Sequence, residues 1–311
     1  MRLTSEGFPL GRALLHSHCS SQFDTLASGF ILIDVNPSTR RAFLSMLPSL
    51  SLLGAVKRKS NVLADLGGSI DINPQLLTAI HGAGFDGFIE TSPEARLKLK
   101  PQDYGALQLY AIRAALPRFE DSMDDAAGEV KTLVELAAVQ GAGAVITTHP
   151  GLSGNGAFRP VDLERKARIL DIAGAICAAR GLTFLYQNQS LEFTGNAAEE
   201  RALMVRTDPK KVSYFLDAGE AMRGGADPAA FFAANQKRIA GIRLSDFKDD
   251  GLVPFGQGSP PAAAMASAIE KNRWTGWLVA PLNIDKNERA VAGFVGSFKA
   301  TRELIRSTFG M

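Results

Sequence analysis

The sequence predicts a single α/β domain, a closed (β/α)8 TIM barrel over residues 60–311, on three observations. The stretch is about 250 residues long, the usual size of such a barrel. Eight short apolar runs alternate along it with longer helical patterns. No Pro- or Ser-rich linker divides it. An open doubly wound sheet is the alternative, but the Gly-rich loop "GLSGNG" follows the fourth run with the wrong spacing for a dinucleotide fingerprint.

The runs read as strands are, in order, "NVLADLG", "FDGFIE", "AIRAALP", "AGAVITTHP", "LTFLYQNQ", "VSYFLDAGE", "IAGIRLSD" and "WTGWLVAPLN". They are continuous rather than alternating, as expected of strands covered on both faces. The segments between them carry helix starts and stops. "PVDLERKARILDIAGAICAARG" has an early acidic residue, apolar residues near i, i+3 and i+4, Arg180 late and Gly181 just past the end. "NPQLLTAIHGAGFDG" and "DAAGEVKTLVELAAVQGAG" repeat the pattern, each closing on glycine. His81 falls inside the first of these and reads as a packing or surface residue.

Hydrophobic residues make up 46% and charged residues 21%, as in an ordinary soluble globular protein. A net charge of +2 argues against bulk electrostatic binding, so no nucleic-acid partner is expected. Cys19 and Cys177 lie far apart, outside any metal-binding spacing, and predict no structural disulfide. There is no P-loop, no G-x-S-x-G elbow and no C-x-x-C.

Residues 1–59 read as an N-terminal extension outside the barrel domain. Its histidines, His16 and His18, have no partner cluster that would make them metal ligands. At about residues 38–59, "STRRAFLSMLPSLSLLGAVKRKS" resembles a twin-arginine export signal. Arg40 and Arg41 precede Phe43-Leu44 and an apolar run from Ala42 to Ala55, shorter than the roughly 20 residues a membrane span needs. Two features depart from a signal: it begins well inside the chain, and "GAVKRKS" lacks a clean A-x-A site. The expectation is periplasmic export with translation starting nearer the signal, and no stable membrane association afterwards. An amphipathic helix in a cytoplasmic protein is the alternative.

In a barrel of this kind the strand C-termini form the active-site face. Read in order they offer Glu90, Arg118, His149, Gln187 with Gln189, Asp217 with Glu220, Arg243 with Asp246 and Lys248, and Asn283. A polar ring around one mouth suits a small polyhydroxylated ligand. Any one of these residues alone reads as an ordinary surface or satisfied core polar group.

Residues 61–311 resemble the sugar phosphate isomerase/epimerase family of xylose isomerase-like TIM barrels, most specifically from 181 onward. "GLTFLYQNQSLEF" is similar to the family's G-x-x-x-x-Y-H-N-H-x-x-E-F, and "VSYFLDAGEAMRGGADP" to V-x-x-x-L-D-x-G-H followed by A-G-x-D-P. "RIAGIRLSD" is similar to R-I-x-x-x-H-L-K-D, "FGQGSP" to the L-G-x-G loop, and "NPQLLTAIHGAGFDGFIE" to the first helix and second strand. The resemblance implies one divalent cation (Mn, Mg or Zn), held after strands five to eight, that polarises a sugar carbonyl while carboxylates shuttle a proton. Its four ligand positions fall on Gln187, Asp217, Arg243 and Pro281, and the family's further histidines fall on Gln189 and Glu220.

An arginine would repel the ion and Pro281 offers only a carbonyl, so a degenerate site without a cofactor is expected. Asp217 and Arg243, on adjacent strands, are placed to pair where the cation would sit, as a working group or as a structural filler. Glu90, His149, Glu220 and Arg243 are the catalytic candidates, and His149 serves equally as a loop hydrogen bonder. Gln187, Gln189, Asp217, Lys248 and Asn283 are the ligand-binding candidates, Lys248 being displaced from the L-K-D pattern. The functional expectation is a sugar isomerase or epimerase working by metal-independent proton transfer. The alternative is a non-catalytic sugar-binding barrel. A carbohydrate is the expected partner, and a homo-oligomer is compatible with the sequence.

Overall fold

A computed structural model describes residues 60–67, 72–90, 99–116, 122–152, 157–249, 251–258, 262–282 and 291–311, all within one compact unit, Lys57–Met311. Arg118, Asn283, the export-signal segment, Cys19, His16 and His18 lie outside the described residues.

Eight parallel strands close into a barrel, each in the position the sequence predicts. They are β1 (Val62–Leu66), β2 (Gly87–Glu90), β3 (Gln108–Ala115), β4 (Ala144–Thr148), β5 (Thr183–Gln187), β6 (Ser213–Asp217), β7 (Ile239–Arg243) and β10 (Trp277–Pro281). Closure is made by β1 pairing with β10, with Asp65 opposite Pro281. A feature the apolar runs did not reveal is an antiparallel hairpin after β7, from β8 (Asp246–Lys248) and β9 (Gly251–Val253).

Around the sheet run α1 (Pro74–Gly82), α2 (Met123–Val139), α3 (Pro160–Ala179), α4 (Thr194–Arg206), α5 (Ala218–Arg223), α6 (Pro228–Asn235), α7 (Ala262–Lys271) and α8 (Val291–Phe309). Their starts are chemically marked. Asn73 accepts the Leu76 amide at 2.9 Å and Ser122 accepts that of Asp125 at 3.1 Å, each satisfying a donor the first helical turn leaves orphaned. Past α3 the chain leaves the helix at Gly181 with φ +73°, where a side chain would be strained. Among the described residues no helix is long and apolar enough to cross a membrane.

Two apolar layers hold the barrel. The outer one packs the helices against the sheet through Phe88, Phe184, Tyr186, Tyr214 and Leu278. Each such buried side chain contributes about 1.5–3 kcal/mol. The inner one, with Leu63, Ile89, Ala111, Ile146, Leu185 and Phe215, fills the axis. Phe215 takes the space beside Gly241, where an added Cβ would come within 2.4 Å of its ring. Apolar side chains therefore fill the axis below the mouth, and the inward layer above Phe215 is polar.

Outside the sheet, beneath the loops that follow β4 and β5, lies a buried ionic cluster. Lys166 of α3, 0% exposed, donates to Glu192 and Glu199 at 2.6 Å each. Glu192 also accepts the Tyr186 hydroxyl and the Gln189 amide, both at 2.6 Å, and Glu199 accepts the Leu152 amide at 2.8 Å. Burial opposes the charge on Lys166, but Glu192 and Glu199 outweigh it and raise its pKa. Both loops are thus fastened to one lysine. Just beyond, Gly195, Asn196 and Ala197 all sit near φ +60°, a left-handed turn costing the two non-glycine residues about 1–2 kcal/mol each.

A third carboxyl, Glu200, is buried beside the cluster, and its Oε2 has no hydrogen-bond partner among the described residues. Burial first, then the charge of Glu192, pushes its pKa well above the ordinary 4.5 and favours the neutral form. In the unfolded chain the same group ionises near 4.5. Stability is therefore undiminished below that value and is lost as pH rises toward the folded pKa. Glu200→Gln removes that loss. Melting temperatures measured from about pH 4 to about pH 8 should decline less in the variant than in the parent, and parallel curves would contradict a protonated Glu200.

Candidate functional site

Strand parity decides which side chains meet at the mouth. Leu63, Ala111, Leu185 and Phe215 point inward, so residues two further along each strand do too: Asp65, Arg113, Gln187 and Asp217. Arg243, opposite Asp217 in the β6–β7 register, joins them. Asp65, Gln187 and Asp217 are buried; the Arg113 and Arg243 side chains are 10% and 12% exposed.

These residues form one connected network. Arg113 grips Asp65 in a two-pronged contact, Nη1 to Oδ2 and Nη2 to Oδ1, both 2.9 Å. Arg243 donates from Nε to Asp65 Oδ2 at 2.6 Å and from Nη1 to Asp217 Oδ2 at 2.8 Å. Gln187 accepts from Arg113 through Oε1 and donates from Nε2 to Asp217 Oδ2, each at 3.3 Å. Those neighbours fix which way round its amide lies. Ser245 meets Arg243 Nη1 and donates to Asp217 Oδ2 at 2.9 Å. Asp217 and Arg243 thus make the pair expected from their adjacent strands.

Charge and burial compete at each member. For Asp65, burial raises the pKa, but Arg113 and then Arg243 outweigh it and hold the carboxyl below its ordinary value. For Arg243, burial works against the charge while Asp65 and Asp217 more than offset it, so its pKa lies above the ordinary arginine value. For Arg113, burial prevails over Asp65, and the charge of Arg243 adds to the downward shift.

The Asn188 side chain is structural. Asn188 donates to the Asp217 carbonyl at 3.2 Å and accepts the Asp217 amide at 2.7 Å, zipping the end of β5 to the end of β6. Gln189 gives its backbone amide to Glu192.

The remaining candidates divide. Glu220 lies at the rim on α5, its amide donating to Asp217 Oδ1 at 3.2 Å and its carboxylate 3.3 Å from Arg223. Its pKa is raised, by burial first and then by Asp217, with Arg223, the Ser190 hydroxyl and Arg243 opposing. His149, at the end of β4, has Nδ1 2.5 Å from the Pro150 carbonyl, the loop-bonding arrangement. Glu90 is not brought into the network. It follows the inward Ile89 and so shares the outer face with Phe88, where its charge helps raise the Tyr104 pKa. Lys248 is exposed on the hairpin. Asp246 is buried, its Oδ2 accepting the Gly256 and Gly258 amides at 2.8 Å and so shaping the loop after the hairpin. Asp65, Arg113 and Ser245 were not anticipated. The first two are single charged residues at inward positions of apolar strands, and that parity is the signal that marks them.

Residues 78–302 match the family model for the xylose isomerase-like TIM barrel. The chain belongs to that family. An inosose dehydratase from Lacticaseibacillus casei is 32% identical over 91 residues, 29% of this chain and 30% of that protein's length. The fold is shared with a sugar phosphate isomerase/epimerase from Parabacteroides distasonis, with TM-score 0.59 and 18% identity, covering 83% of this chain and 98% of that one. It is shared also with an IolI protein carrying a zinc atom, with TM-score 0.66 and 16% identity, covering 81% and 100%.

The network gives a stability expectation. Arg243→Met leaves Asp65 and Asp217, 1% and 0% exposed, short of a counter-charge. Breaking a buried pair from one side costs about 3–5 kcal/mol, so urea unfolding at neutral pH should show a loss of that order. A loss below about 1 kcal/mol would mean the pair is no more than a surface contact.

Proposed function

We propose that the barrel mouth binds a small polyhydroxylated carbohydrate and moves a proton at the carbon next to its carbonyl, with the Arg243 guanidinium in the role a divalent cation plays elsewhere in the family. The observation that carries this reading is the seat of Arg243 between Asp65 and Asp217.

The donor set does not fit a divalent ion. Asp217 Oδ2 already accepts from Arg243, Ser245 and Gln187, and Gln187 Oε1 accepts from Arg113. The fourth position is Pro281, without a side-chain donor, and the third is a permanent cation. Among the described residues no three His, Cys, Asp or Glu side chains form a metal-holding group.

Chemically, Glu220 removes the proton from the carbon beside the carbonyl, and the electron pair of that bond moves onto the carbonyl oxygen. Arg243 stabilises the resulting enolate charge. Returning the proton to the opposite face of the same carbon gives an epimer. Returning it to the former carbonyl carbon, with the hydroxyl proton shifting between oxygens, gives an isomer. Burial and the neighbouring Asp217 raise the Glu220 pKa, which strengthens it as a proton acceptor relative to an ordinary carboxylate. His149 is the second proton carrier. The relative named for inosose makes a cyclic polyhydroxy ketone a reasonable first ligand.

A second reading, a sugar-binding barrel without turnover, is favoured by one observation: Nε and Nη1 of Arg243 are already spent on the network. One experiment separates the two. The protein is incubated in deuterated water with an inosose and a panel of ketoses and aldoses, with and without chelator. Deuterium should enter beside the carbonyl at a rate the chelator leaves unchanged, and Glu220→Gln should slow it by about 10²–10⁴-fold. Binding without exchange supports the second reading. Stoichiometric zinc, manganese or magnesium that disappears in Asp217→Ala would overturn the metal-free assignment.

Export through the twin-arginine route is proposed on the "STRRAFL" motif. Changing Arg40 and Arg41 to lysine should abolish periplasmic delivery of the full chain, and unchanged delivery would rule the route out.

A further inference from the structure

Arg243 alone does not explain how a guanidinium on a long, flexible side chain comes to present one defined face to a ligand. Four methylene and imino links separate its charge from the backbone, and an arginine so built samples many rotamers unless its neighbours hold it. The network supplies the hold from a strand two places round the barrel. Asp65, on β1, takes Arg243 Nε at 2.6 Å, although β1 and β7 are separated by β10 in the closed sheet. Asp65 is in turn held from behind by both terminal nitrogens of Arg113 at 2.9 Å. With Nε on Asp65 and Nη1 on Asp217 and Ser245, Nη2 of Arg243 has no hydrogen-bond partner among the described residues.

We propose that Asp65 and Arg113 are positioning residues: Arg113 immobilises Asp65, and Asp65 with Asp217 fixes the Arg243 guanidinium so that Nη2 faces the ligand's carbonyl oxygen. The inference rests on the proton-transfer reading above for its effect on turnover, and on the geometry alone for its effect on Arg243.

The charges require the arrangement. Two guanidinium groups share one carboxylate, and without Asp65 between them Arg113 and Arg243 would repel in a site shielded from water. An uncharged isostere at 65 cannot anchor both. Asp65→Asn keeps the shape and still offers one oxygen, but loses the two-pronged grip on Arg113 and the charge that holds Arg243. Neither residue reaches the ligand in this scheme, so their loss should fall on turnover rather than on binding.

The test uses Asp65→Asn and Arg113→Lys, each checked by thermal melting, with two readouts. In the deuterium-exchange assay, on whichever sugar the parent turns over, each variant that folds should lose about 10–100-fold in kcat with KM changed less than about threefold, the range expected for groups that orient a working residue. Unchanged kcat, or a loss confined to KM, overturns the proposal. The second readout needs no turnover. The Nε–H nitrogen–proton signal of Arg243, assigned by its disappearance in Arg243→Lys, should exchange slowly with solvent in the parent and about 10-fold or more faster in the variants. Equal exchange rates overturn the positioning role. If no sugar is turned over by the parent, the function fails by itself while this second readout still decides whether Asp65 and Arg113 hold Arg243. Arg113→Lys keeps the test available should Asp65→Asn not fold.

Discussion

A guanidinium seated between two carboxylates is the constraint around which the mouth of this barrel is organised. Arg243 joins β7 to β1 through Asp65 and to β6 through Asp217, and Arg113 and Gln187 extend the same network to β3 and β5. Ionised groups are costly to remove from water and remain buried only when each finds a hydrogen-bonded counterpart. That condition is met at Asp65, which receives three charged N–H contacts. It is met at Asp217 by Arg243, Ser245, Gln187 and, on the other oxygen, the Glu220 amide. The apolar plug below, centred on Phe215, keeps the field of these groups from being screened from the opposite end.

The second ionic centre, outside the sheet, serves the same mouth differently. Lys166 gathers Glu192 from the β5 loop and Glu199 from α4, while Glu199 reaches back to the amide of Leu152 in the β4 loop. Those two loops carry His149 and the Gln187–Gln189 stretch. Their backbone is therefore held at these points by contacts on the outer face. One lysine faces three carboxyls there, and the upward shift of the Glu200 pKa lessens that excess by favouring its neutral form. The inner network has no such excess.

Periodicity made the barrel readable. Every barrel strand stands on a continuous apolar run because both faces of the sheet are covered, and α1, α2, α3, α5 and α8 are followed by glycines in a left-handed turn. The β8–β9 hairpin was not legible, since strands of three residues are too short to show a period. At the site, Asp217 and Arg243 were legible as neighbouring strand-end charges. Asp65 and Arg113 were not legible, because a lone charge within an apolar run is assigned to the barrel axis only once the parity of its strand is known. Glu90 shows the converse. It ends its strand as expected, but one residue of parity sends it to the outer face, and only the register of Ile89 settles which.

Charge arithmetic explains why position 187 carries an amide. The buried network holds two carboxylates, Asp65 and Asp217, and two guanidinium groups, Arg113 and Arg243, so its formal charge sums to zero. A carboxylate at 187 would leave one buried negative charge with no counterpart, and a protonated histidine would leave one positive. A neutral histidine offers one donor and one acceptor, but its ring fixes them in directions the Arg113-to-Asp217 gap need not match. Glutamine offers an acceptor toward Arg113 and a donor toward Asp217 on a side chain long enough to reach both at 3.3 Å. Arginine at 243 and glutamine at 187 are therefore two halves of one solution. Once the positive charge is covalently part of the chain, the residue beside it has to be neutral and double-ended, and the amides of "YQNQ" meet that requirement at the position that faces inward.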